Sequence, residues 1–231
     1  MKSFFRLSFT VIALTLFFNA FAVTETQAQS AHLNEILKRM EAHRTNLTSL
    51  RANVTMTKYN DQLKESDTTS GTALYLPTKG RDALVRIDWT KPTEETLAVV
   101  NGKYVIYRPR LKQAITGNAN EAKGNGKANN ALAFMNMSRE QLRANYNVKY
   151  LGQETISGNN TWRLELTPKT AANYKSAELW VDGNGMPIQA KIVERNNDTN
   201  TVLLSNLQKN VTLNAARFKV DLPKGTSIVR G

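Results

Sequence analysis

Cysteine is absent from all 231 residues. Its absence removes disulfides, thiol catalysis and zinc–thiolate sites, and it excludes lipid attachment at a cysteine behind a cleavage site. Histidine is almost absent as well, with only His32 and His43. Eleven positions apart on a helix, these two share a face but stand about 16 Å apart at 1.5 Å per residue, so they cannot clamp one metal ion. Both are read as exposed helix histidines. Beyond residue 18 no apolar run is long enough to span a bilayer. The formal charge is +12, yet no run of five or more bases occurs, and the bases are scattered among acids. A nucleic-acid partner is therefore not expected; solubility and attraction to anionic surfaces or acidic partners account for the excess.

Catalytic constellations are missing too. Gly124-Asn125-Gly126-Lys127 suggests a phosphate loop, but Glu121 holds the place of the first glycine and Ala128 that of the metal-binding hydroxyl. Asp182-Gly183-Asn184-Gly185 lacks the 12-residue ligand series of a calcium loop and reads as a hairpin turn. Glu94 and Glu95 follow Pro92 and mark the start of a strand. No nucleophile, base and orienting group assemble, so no enzyme, cofactor or metal is expected.

The start of the chain is informative. Lys2 and Arg6 precede an apolar stretch, Leu7 to Phe18, and small-residue cleavage patterns end at Ala22 and Ala28. That order is a secretory signal peptide, taken as residues 1–28. Taking away two bases and one acid (Lys2, Arg6, Glu25) lowers the formal charge from +12 to +11. The remaining residues, 29–231, read as a single domain with no dividing linker.

That domain opens with a helix over His32 to Leu50, apolar at Leu33, Ile36, Leu37, Met40, Leu47 and Leu50, with Ser30 as its N-cap. The period then falls from 3.6 to 2 at Ala52, Val54 and Met56. Strands follow at 71–76, 83–89, 95–100, 103–107 and 111–116, with Asn101-Gly102 as a hairpin turn. Residues 117–130 are rich in glycine and asparagine and read as a mobile loop. A short apolar helix over Ala131 to Met137 comes next, and Ser138 caps a second one. Strands resume at 146–151, 160–167, 176–182, 187–194, 200–207 and 211–213. The sum is a mainly antiparallel β protein of about eleven strands with two or three helices.

The order of several short stretches carries a resemblance. Gly71-Thr-Ala-Leu-Tyr-Leu-Pro77, Arg86-Ile-Asp-Trp-Thr-Lys-Pro92, and Leu97-Ala-Val-Val-Asn-Gly-Lys-Tyr-Val-Ile-Tyr107 lie behind the first helix. Leu164-Glu-Leu-Thr-Pro-Lys169, Leu179-Trp-Val-Asp182, Gly185-Met-Pro187 and Phe218-Lys-Val-Asp-Leu-Pro223 follow. Together they resemble the LolA family of periplasmic outer-membrane lipoprotein carriers. The resemblance implies an incomplete, strongly curved β-barrel covered by a lid of short helices, with an apolar inner face that accepts lipoprotein acyl chains. It implies cargo received from an inner-membrane lipoprotein-releasing transporter and passed to an outer-membrane acceptor, by a chain acting as a monomer. An envelope sensor on the same scaffold is the alternative.

Alternation assigns Val54, Met56, Val85, Ile87, Trp89, Val105, Tyr107, Trp162 and Leu164 to the cavity wall. Leu132, Phe134, Met135 and Met137 would form the lid, hinged on the loop at 117–130, methionine being suited to repacking. Arg86 is the candidate for the arginine that in the family ties barrel to lid, with Arg81 as the other possibility. Each buried CH₂ contributes about 0.8 kcal/mol, so a chain of some 16 carbons gains on the order of 10 kcal/mol on leaving water.

Overall fold

The computed structural model describes residues 29–78, 83–119 and 137–231. The first helix, α1, covers residues 29–46, four residues short of the expected end, because Leu50 already starts the sheet. Ser30 lies inside the helical run and is not its cap. Ile36, Leu37 and Met40 are buried and Leu33 packs beside them, one apolar stripe at helical spacing. A second helix, α2 (Arg139–Asn145), begins at the expected cap. Ser138 accepts from the backbone N–H of Gln141 while the Gln141 side chain accepts from that of Ser138, a reciprocal capping box.

Among the described residues, twelve strands make one sheet. They are β1 (Leu50–Asn60), β2 (Glu65–Leu76), β3 (Leu84–Lys91), β4 (Glu95–Val100), β5 (Lys103–Arg108), β6 (Gln113–Asn118), β7 (Tyr146–Ile156), β8 (Asn159–Pro168), β9 (Tyr174–Asp182), β10 (Pro187–Glu194), β11 (Thr199–Lys209) and β12 (Ser227–Arg230). Their spatial order is β12-β6-β5-β4-β3-β2-β1-β11-β10-β9-β8-β7. Neighbours are antiparallel except β12, which lies parallel to β6. The first strand, β1, sits in the middle of the sheet, and β7 and β12 form its two edges. The sheet is an open, curved barrel.

Three differences from the sequence reading have local causes. β2 starts six residues early, at Glu65, because the polar stretch Glu65–Ser70 pairs with β1 without any apolar alternation to reveal it. The loop expected from Gly117 begins later, since Gly117 and Asn118 still pair with Tyr104 and Lys103 of β5. Residues 211–213 form no strand; the chain there crosses to the outer face and ends in a 3-10 turn, Ala215–Phe218. The Asn101-Gly102 hairpin is as expected, with φ of 51° and 70°, the left-handed pair that matches strand twist.

Register sorts the side chains. Val54 stands opposite Gly71 and Leu204, Ala73 opposite Ile87, Ile87 opposite Leu97, and Leu97 opposite Ile106. Across the other half, Val202 faces Ala190, Ala190 faces Leu179, and Leu179 faces Leu164. These residues and α1's stripe form one continuous apolar cluster, the inner face. A second, small cluster of Leu74, Leu84 and Phe218 lies on the outer face beneath the 3-10 turn.

Candidate functional site: the inner face and its mouth

Seven of the nine expected wall residues lie on the inner face. Val54, Met56, Ile87, Trp89 and Leu164 are buried in its cluster, and Val85 and Trp162 pack against it. Val105 and Tyr107 do not. On β5 the inner positions are Tyr104 and Ile106, opposite Val99 and Leu97, so the expected parity of this strand is reversed. The cause is visible in the sequence: Tyr104 to Tyr107 are apolar at every position, which leaves no alternation to read. Inner-face residues of β9 and β10, among them Ala177, Leu179, Val181 and Ile188, were also outside the expected set.

Arg86 is corrected as well. It alternates with Ile87 and so points to the outer face, where Nε and Nη2 donate to Asp88 at 2.8 and 2.9 Å. Its Nη1 donates to the carbonyls of Arg217 and Lys219 at 3.1 and 2.7 Å. It therefore holds the C-terminal 3-10 turn against the outer face. Arg81, Leu132, Phe134 and Met135 lie outside the described residues; Met137 is half-buried against the inner cluster.

α1 roofs the inner face and is fastened along its length. The Arg39 guanidinium donates to the Gly183 carbonyl at 3.1 Å and lies 5.3 Å from the centre of the Trp162 ring. The His32 ring lies 4.8 Å from that of Tyr150, tilted 60° to it, and meets Trp162 edge-on. Both histidines were expected to be exposed, and neither is: His43 is half-buried, and its Nε2 is buried with no hydrogen-bond partner. That burial, with Lys209 nearby, pushes the His43 imidazole below its usual range.

α2 lies beside α1. Glu41 accepts from the backbone N–H of Arg139, and Arg143 donates to Asn34. Glu41 is also paired to Arg44 at 2.5 Å. The Arg44 contact and then the Arg139 N–H hold this carboxyl below the usual carboxylate range. Leu142 drops from α2 into the inner cluster and is fully buried.

At one end of the half-barrel the inner face opens. A cavity of about 400 Å³ lies between β1, β3 and the turns at 92–94 and 109–111. Its apolar floor is Met56 and Trp89; its rim carries Lys58, Glu94, Glu95, Arg108 and Arg110. Arg108 donates to Glu95 at 2.7 Å, which ties that pair together. Among the described residues no group of His, Asp or Glu is placed to hold a metal ion, and no helix is long and apolar enough to cross a membrane.

Residues 45–221 match the family model described as the outer membrane lipoprotein carrier protein LolA. An outer-membrane lipoprotein carrier protein of Serratia proteamaculans (strain 568) is 28% identical over 142 residues. That alignment takes in 60% of this chain and 62% of the relative's length. Among solved structures, an uncharacterized conserved protein from Thermus thermophilus superposes with a TM-score of 0.56 at 16% identity. The match covers 88% of this chain and 100% of that one. MucB superposes with a TM-score of 0.55 at 13% identity, covering 86% and 66% of the two chains. These likenesses show the same curved-sheet fold. With its family model matched over most of its length, the chain belongs to the LolA family of outer membrane lipoprotein carriers.

Proposed function

We propose that this protein is a periplasmic carrier that binds the acyl chains of lipoproteins, or of other lipids, against its inner face and moves them between membranes without covalent chemistry. The observation that carries this reading is the mouth cavity: buried Met56 and Trp89 form a floor continuous with the apolar inner face, and the space above them is open. Burying hydrocarbon there is favourable by about 0.8 kcal/mol per methylene, enough to hold an acyl chain that water rejects. α1 roofs the rest of the face with Ile36, Leu37 and Met40, and the segment holding Leu132, Phe134, Met135 and Met137 is the proposed movable part of the lid. An inner-membrane releasing transporter and an outer-membrane acceptor are the proposed partners, with the protein working as a monomer after removal of residues 1–28.

Purification from the native envelope followed by mass spectrometry tests the reading. Co-purifying lipoprotein or lipid supports it. Protein free of lipid and tightly bound to a membrane regulator would favour a sensor on the same scaffold. For the lid, Phe134→Glu is expected to weaken uptake of a fluorescent fatty acid, and unchanged uptake would remove the lid assignment.

A further inference from the structure

We infer that the mouth of the cavity is built for one class of amphiphile, a hydrocarbon chain ending in an anionic head such as a phosphate monoester or carboxylate. The inference rests on the carrier reading and narrows it. Glu95 is already engaged by Arg108 at 2.7 Å. Lys58 and Arg110 also line the cavity, and among the described residues neither has an ion-pair or hydrogen-bond partner. Glu94 is the one acid left on the lining, and Asp67 stands opposite Lys58 in the strand register without an ion pair to it. Thr69 and Thr93 line the same space.

Beneath this polar rim the floor is Met56 and Trp89, 7% and 6% exposed. A ligand that fills the site must therefore present oxygen acceptors to the rim and hydrocarbon to the floor. A free inorganic anion leaves the floor in water, and an uncharged chain leaves the two cations unanswered. Leu111, 66% exposed on the rim, extends the apolar surface outward, where an emerging chain would lie. The cations are solvent-exposed, so each contributes modestly, and together about tenfold in affinity at low salt.

Calorimetric titration of the full mature protein with dodecyl phosphate, dodecanol and dodecyltrimethylammonium, each below its micelle threshold, tests this. Dodecyl phosphate is expected to bind about tenfold tighter than dodecanol at low salt, with the gap narrowing at high salt because the cations are exposed. The double variant Lys58→Ala/Arg110→Ala is expected to bring the phosphate down to the affinity of the alcohol. Equal binding of phosphate and alcohol by the natural protein, tighter binding of the ammonium, or a gap that survives the double variant would overturn the head-group assignment and leave the carrier reading standing. Displacement of dodecyl phosphate by millimolar inorganic phosphate would overturn it too, in favour of a plain anion site. Failure of all three amphiphiles to bind would bring down the carrier reading and the head group with it.

Discussion

Glu41 on α1 accepts a hydrogen bond from the backbone N–H of Arg139, the first residue of α2, at 3.0 Å. One carboxylate thus caps the neighbouring helix and, through Arg44 at 2.5 Å, stays charged while doing so. A negative group at a helix N-terminus stabilises it, both by the hydrogen bond and by the helix dipole. The folded protein holds this carboxyl below its ordinary 4.5, so its contribution is complete above that pH and is lost as pH falls through the lower folded value. Glu41→Gln is expected to cost about 1 kcal/mol in urea unfolding at pH 7. In an NMR titration the Arg139 amide should shift as the pH falls below 4.5, and the Gln variant should lack that shift. An identical titration in both proteins would refute the cap.

His43 predicts a second pH dependence in a different window. Its Nε2 is buried without a partner, and Lys209 lies close enough to oppose a second positive charge. The folded imidazole therefore binds its proton less readily than the unfolded one, whose ordinary value is 6.5. Stability is complete above 6.5 and declines as pH falls from there towards the lower folded value, because the unfolded chain takes up the proton first. The urea midpoint should fall as the pH is lowered from about one unit above that ordinary value to about one unit below it. His43→Met should flatten that fall. A slope unchanged by the substitution would mean that the imidazole is not the group responsible.

How far the sequence revealed this arrangement depended on alternation. On β1 and β3, Val54, Met56, Val85, Ile87 and Trp89 each have a polar or oppositely facing neighbour, and all reach the inner face as expected. On β5 every residue from Tyr104 to Tyr107 is apolar, so only the Asn101-Gly102 turn, by fixing Val99 against Tyr104, decides which pair points inward. On Glu65–Ser70 every residue is polar and the strand was invisible, although it pairs with β1 as regularly as the rest. The roof was legible as a helical stripe; its fastenings were not. Arg39 on Trp162 and Glu41 on α2 join residues more than ninety positions apart, and nothing local marks them. Arg86 misled for a related reason: its parity already placed it opposite Ile87, but its partners, the carbonyls of Arg217 and Lys219, are backbone groups with no sequence signature.

The outer-face strap makes a prediction of its own. Phe218 is fully buried between Leu74 and Leu84, and Arg86 grips the two carbonyls on either side of it. Phe218→Ala should cost about 3–5 kcal/mol, the range for emptying a buried phenylalanine site. Arg86→Met should cost about 2 kcal/mol by leaving Asp88 and the strap carbonyls without their donor. Acyl binding by folded Arg86→Met protein should match the natural protein, because Arg86 faces away from the cavity. Reduced binding with normal stability would restore the lid-tether role and contradict the outer-face placement.

The β9–β10 turn supplies the most severe test of how α1 is seated. Gly185 has φ of +84°, a left-handed conformation that costs side-chain-bearing residues energy. A Cβ there would stand 2.3 Å from the backbone carbon and oxygen of Arg39 and 2.7 Å from the nitrogen of Met40. No rotamer relieves a clash with backbone, so either the turn or the helix must move. Two residues earlier, a Cβ on Gly183 meets nothing within 4 Å. Gly185→Ala is therefore expected to destabilise the protein by about 2–4 kcal/mol, whereas Gly183→Ala should stay within about 0.5 kcal/mol. The two are separated further by spectroscopy. Displacing α1 pulls Arg39 and His32 off Trp162, so the indole signal of Trp162 should shift in Gly185→Ala and stay in place in Gly183→Ala. Equal stability of the two variants, with Trp162 unmoved in both, would show that α1 does not rest on this turn, and the roof over the inner face would lose one of its fixed supports.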